Sequence, residues 1–107
     1  MEWIYLVIAG IMEWGWPMGL KFGWTESGFR FWPLVLAIVS ILASGFFLLL
    51  AQKTIPVGTA YAVWTGIGAV GTFFLGILLL GEPAQIARFV FVGFIVIGIV
   101  GMKLVSA

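Results

Sequence analysis

The chain has no cysteine, histidine, aspartate or asparagine, and only 8% of its 107 residues are charged. The missing residue types exclude disulfide frameworks, thiolate or imidazole metal sites, catalysis by Cys or His, and glycosylation sequons. The scarcity of charge excludes a soluble domain, whose surface needs roughly a quarter or more of charged side chains. What fills the chain is apolar: 64% of it is hydrophobic, and the mean hydropathy is +1.26. Its length leaves room for about four membrane spans of about 20 residues with short connections. These numbers predict a single all-α integral membrane domain over residues 1–107, with no cofactor, no metal and no nucleic-acid partner.

Polar punctuation divides the apolar runs at residues 24–30 (WTESGFR), 52–56 (QKTIP) and 81–85 (GEPAQ). Four helices are predicted between these borders, at 3–22, 31–51, 57–80 and 86–104. At 1.5 Å per residue each covers about 30 Å of hydrocarbon. The first segment is expected to be retained. It is too long for a signal-peptide core, lacks a preceding basic flank and carries an acid. Trp3, Tyr5, Trp24, Phe31 and Trp32 fall near the borders, where amphipathic rings favour the headgroup level.

Glu13 is the charge that breaks the pattern. Glu2, Lys21, Glu26, Arg30, Lys53, Glu82, Arg88 and Lys103 all lie at or near a border, whereas Glu13 sits near the middle of the first span. An acid at a helix centre costs roughly 2.5 to 3.5 kcal/mol on insertion scales, and such residues mark routes for ions or substrate. The basic residues are nearly balanced between the two sides, with Lys53 and Lys103 on one and Lys21, Arg30 and Arg88 on the other. Because Lys and Arg asymmetry sets orientation, this balance suits insertion both ways and pairing as an antiparallel dimer. A C-terminal reporter found on one side of the membrane only would refute that expectation.

Several residues recur at helical spacing around the acid. Gly10 and Trp16 lie three residues either side of Glu13, Tyr61, Trp64, Thr65 and Gly68 form a stripe on the third helix, and Ser44 supplies a hydroxyl near the middle of the second. Taken singly, Tyr61 and Trp64 suit packing, and Ser44 suits a bond to its own helix. Converging on one pocket, they suit a small cation: the carboxylate neutralises its charge and the ring faces attract it. The same carboxylate binds protons, so the two compete, and competition at a site exposed alternately to each side suffices for antiport. Glycines Gly15, Gly19 and Gly23, then Gly68, Thr72 and Gly76, and finally Gly93 and Gly101 offer small faces for close helix approach. Gly66 and Gly68 are candidates for a bend in the third helix.

The chain resembles the small multidrug resistance family of four-helix transporters, and within it the guanidinium exporters. The resemblance covers essentially the whole length. It is carried by PVGTAYAVWTGIGAVG at 56–71, LLGEPA at 79–84 and IAGIMEWGWPMGLK at 8–21. It implies a protein of the bacterial inner membrane, acting as an antiparallel dual-topology homodimer in which Glu13 of both copies alternately binds protons or guanidinium. The matching positions are Gly10, Glu13, Trp16, Ser44, Tyr61 and Trp64. In the family's scheme the serine and tryptophan position the acids, and the tyrosine takes part in coupling. The last helix, with Gly93, Gly98 and Gly101, would serve dimerisation. The sequence departs from the subtype at Trp14, Gly15 and Pro17, where aliphatic or small residues are more usual. Pro17 cannot donate a backbone hydrogen bond to the Glu13 carbonyl, so a kink or polar opening is expected there. The departure leaves open substituted guanidinium compounds, or bulkier quaternary ammonium cations handled by a multidrug exporter. A non-transport subunit that packs on a larger partner is the remaining alternative. An enzyme is not expected, since one acid without a nucleophile–base pair or metal cluster offers little catalytic chemistry.

Overall fold

The computed structural model describes residues 2–106 and is built almost entirely of helices. In chain order these are α1 (Glu2–Met12), α2 (Gly15–Gly23), a small hairpin of β1 (Trp24–Thr25) and β2 (Gly28–Phe29), α3 (Phe31–Ala51), α4 (Val57–Leu80) and α5 (Ile86–Val105). Helices α3, α4 and α5 are each long and apolar enough to cross a membrane. Their limits agree with the sequence-based spans to within a residue.

The first predicted span, 3–22, is corrected. It is two helices of 11 and 9 residues with a turn at Glu13 and Trp14 between them. The Trp14 amide donates to the Ile11 carbonyl at 3.1 Å, a tight turn that stops α1. Helix α2 then restarts at Gly15, which places Pro17 in its first turn, where a missing N–H costs nothing. The expected kink is therefore a local break in the hydrogen-bond ladder at the acid itself, with Trp14 keeping helical dihedrals of φ −66° and ψ −28°.

The polar punctuation at 24–30 contains the β1–β2 hairpin, with Trp24 opposite Phe29 and Thr25 opposite Gly28. Gly28 has φ of 114°, a conformation that L side chains rarely adopt. The Thr25 hydroxyl donates to the Gly28 carbonyl at 2.9 Å, and the Trp24 and Phe29 rings stack with centroids 5.9 Å apart. Trp24, Phe29, Phe31 and Trp32 remain exposed at this end of the bundle, as suits headgroup contact.

Small residues let the helices approach closely. Without a hydrophobic drive inside lipid, backbone proximity and interhelical hydrogen bonds carry the packing. Gly15, Gly19 and Gly23 line the face of α2 against α3. A side chain at Gly15 would collide with Ser40, one at Gly19 would come 2.5 Å from the Pro33 carbonyl oxygen, and one at Gly23 would meet Leu34. At the other end, Leu6, Ala51, Ile55, Ala60 and Val63 form the buried core where α1, the end of α3 and the start of α4 meet.

Helix α4 runs unbroken through Gly66 and Gly68. Both candidates for a bend stand at close contacts: a side chain at Gly66 would strike Ile99 of α5 at 2.8 Å, and one at Gly68 would reach the Glu13 Cβ at 3.1 Å. Gly76 does not belong to a helix-packing stripe either, since the Glu82 carboxylate occupies the space where its side chain would project. Helix α5 packs on α4 but buries none of its residues, and nothing lies within 4 Å of where side chains at Gly93, Gly98 and Gly101 would stand. The whole chain is a slab 17 Å thick, against about 10–12 Å for one helix with its side chains.

Candidate functional site

The interruption of the first span delivers Glu13 to the flank of α4. Its amide still bonds to the Ala9 carbonyl at 3.1 Å, so the residue closes the last turn of α1. Its side chain passes over Gly68, where no Cβ stands in the way. The Trp16 indole donates to the Glu13 Oε1 at 3.0 Å, from three residues ahead. Among the described residues this is the hydrogen bond made to the carboxylate.

Glu13, Trp16, Pro17, Thr65, Gly68, Ala69 and Thr72 line a crevice of about 250 Å³. Thr65 and Ala69 are exposed, so the crevice opens on the surface of the protomer, not into an enclosed interior. A slab of this thickness cannot wrap around a central cavity by itself. The chemistry on offer is one carboxylate with free lone pairs and an indole that orients it, in a largely apolar wall that includes Thr65 and Thr72. No group of three or more His, Cys, Asp or Glu that could hold a metal occurs among the described residues.

The other residues singled out by the sequence form a second layer behind the acid. The Ser44 hydroxyl does not return to its own helix: it donates to the Ala9 carbonyl at 2.7 Å and accepts from the Trp64 indole at 2.8 Å. Ala9 is the residue whose carbonyl also receives the Glu13 amide. Ser44 therefore bonds to the turn of backbone that carries Glu13, Trp64 bonds to Ser44, and the hydrogen bonds of both go elsewhere than the carboxylate. Tyr61 lies with its ring 5.3 Å from that of Trp64, is 57% exposed and is not part of the crevice wall. Gly10 packs on the side chain of Ile67, where a Cβ would approach to 2.6 Å.

Sequence reasoning did not place Pro17, Ala69 and Thr72 in the wall. The signal was present on α4, because Thr65, Gly68, Ala69 and Thr72 follow the spacing of one helical face. It also gave no partner for Trp14, whose indole donates to the Ile67 carbonyl at 2.9 Å. That contact joins residues 53 positions apart, a relation that helical periodicity does not encode.

Comparison with known proteins adds a whole-chain match. The family model described as Small Multidrug Resistance protein matches residues 1–95. A guanidinium exporter of Yersinia pseudotuberculosis serotype I is 54% identical over 107 residues, covering 99% of this chain and 100% of the relative. A guanidinium exporter of Salmonella typhimurium is 52% identical over 104 residues, covering 97% of each, and one of Citrobacter freundii has the same identity and coverage.

Proposed function

The chain belongs to the small multidrug resistance family and is a multi-pass protein of the inner membrane, and from that premise we propose that it exports guanidinium in exchange for protons. The observation that carries this reading is the Glu13 carboxylate, half-buried at a break in a membrane-spanning segment and held by one indole donor. The full-length relatives are named guanidinium exporters, which supports guanidinium as the cargo and a transporter in place of an enzyme.

Guanidinium is planar and presents its N–H groups in a fixed fork that a carboxylate accepts in pairs. A carboxylate offers about four lone-pair sites, so the single bond from Trp16 leaves acceptors for the cation. Thr65 and Thr72 stand in the same wall, which is otherwise largely apolar. A proton on Glu13 removes the charge that holds guanidinium, so the two ligands exclude each other, and alternating exposure of one site to each side then couples their movements. Helices α1 and α2 in tandem make the fourth crossing, beside α3, α4 and α5.

An open crevice would expose the acid to hydrocarbon, where it is costly. A second copy in the opposite orientation covers it and brings a second Glu13, and the unburied face of α5 with Gly93, Gly98 and Gly101 supplies the contact between copies.

Transport by purified protein in liposomes tests this. A guanidinium gradient should drive proton movement, and a panel extending to substituted guanidinium and bulky quaternary ammonium ions should show guanidinium preferred. Preference for bulky quaternary cations over guanidinium would overturn the proposed cargo in favour of a multidrug exporter.

A further inference from the structure

Two consecutive residues at the break, Glu13 and Trp14, dock on opposite flanks of one turn of α4. Adjacent side chains on a helix diverge by about 100°, which lets the two straddle one neighbouring helix. Glu13 lies over Gly68 on the crevice side. The Trp14 ring fills the space where a side chain at Gly71 would project, and its N–H bonds to the Ile67 carbonyl at 2.9 Å. On that side the indole lines an apolar groove of about 400 Å³ between α4 and α5, whose wall includes Val70, Phe74, Val96 and Ile99. The first span thus sits astride α4, with the acid in one stirrup and the indole in the other.

The geometry points to Trp14 as a positioning residue: seated in the notch at Gly71 and bonded to the Ile67 carbonyl, it ties the break to α4 and so fixes where the Glu13 carboxylate stands in the crevice. The inference rests on the reading of Glu13 as the cation site. It assigns a role to a residue that makes no contact with the cargo. The notch and the ring are matched: glycine at 71 is required by the indole at 14, and a smaller residue at 14 removes the requirement. Sliding or turning α4 against the first span withdraws the indole from its notch, so the pair also resists relative movement of the two elements.

The test uses the full chain in liposomes, with guanidinium as the probe and Trp14→Phe, Gly71→Ala, Trp14→Val and Trp14→Val/Gly71→Ala as variants. Trp14→Phe keeps a ring in the notch and loses the N–H. The loss of one hydrogen bond is expected to raise the KM for guanidinium about five-fold with the maximal rate unchanged. Gly71→Ala should raise KM by at least as much in the native background and not at all on top of Trp14→Val. A purely structural role would instead lower the maximal rate at constant KM, as less protein folds. In parallel, protein carrying 13C-labelled glutamate carboxyls reports the Glu13 signal, identified by its loss in Glu13→Gln. That signal should move in Trp14→Phe whether or not guanidinium is the cargo, which separates failure of this inference from failure of the proposed function. An unmoved Glu13 signal in Trp14→Phe overturns the inference, as does an equal effect of Gly71→Ala in both backgrounds. If Gly71→Ala fails to fold, the Trp14→Phe signal decides alone.

Discussion

Removing the Ser44 hydroxyl should cost more than removing the indole N–H that bonds to it, because only the first leaves a buried donor without a partner. Ser44 is fully buried, with 0% exposure, so no water can take its place. In Ser44→Ala the Trp64 N–H loses its acceptor, and a stranded donor costs about 1–3 kcal/mol. The Ala9 carbonyl fares better, since it keeps the Glu13 amide at 3.1 Å. In Trp64→Phe the hydroxyl still donates to Ala9 at 2.7 Å, and the loss is one net hydrogen bond, about 0.5–1.5 kcal/mol. The double variant strands nothing. Interhelical hydrogen bonds in membrane proteins couple by about 0.6 kcal/mol on average and up to about 1.7, so Ser44→Ala with Trp64→Phe should be less damaging than the sum of the two by an amount in that range. Unfolding in mixed detergent micelles, followed by circular dichroism so that the lost tryptophan does not affect the signal, measures all four corners of the cycle. Additivity to within about 0.3 kcal/mol, the behaviour of independent sites, would refute the coupling of α4 to α1 through Ser44.

Glu13→Gln should abolish proton-coupled guanidinium flux in liposomes while the protein still assembles, and retained coupling would end the proposed mechanism. Gly19→Ala should destabilise the chain by about 1–3 kcal/mol, since its Cβ would lie 2.5 Å from the Pro33 carbonyl oxygen and 2.9 Å from Ala37; an unchanged unfolding midpoint would refute the close α2–α3 contact. Pro17→Ala restores an N–H able to reach the Glu13 carbonyl, so it should raise helicity by circular dichroism and shift the cargo panel, and a variant identical to the parent in both would show that the proline does not maintain the break. As the chain has no cysteine, Gly93→Cys gives a single thiol, and oxidation should link two copies through α5. Failure to link in membranes would remove α5 from the contact between copies.

Much of the architecture was legible in the sequence because a bilayer imposes simple rules. Apolar length and polar punctuation located α3, α4 and α5 to within a residue, since every spanning backbone must satisfy its own hydrogen bonds. Pro17 announced trouble at Glu13. What it did not announce was where the loosened turn docks, because that depends on what its groups find nearby. Here Trp14 found Ile67, and Glu13 found the bare flank of Gly68. Ser44 is a similar case. A hydroxyl in an apolar helix has its own carbonyls within reach, and only the approach of α1 offered the Ala9 oxygen instead.

The sequence by itself determined that this chain lives in a membrane, where its three long helices begin and end, and that one acid lies inside an apolar run. Composition and periodicity are local properties, and the bilayer reads them locally. Only the tertiary structure decided which groups stand around that acid. It put Trp16 on the carboxylate, Thr65 and Thr72 in the wall, Ser44 and Trp64 behind the backbone, and Tyr61 outside. Those assignments depend on how far two helices can approach and at what height, which glycine at 68 and 71 permits but helical spacing within one segment does not specify.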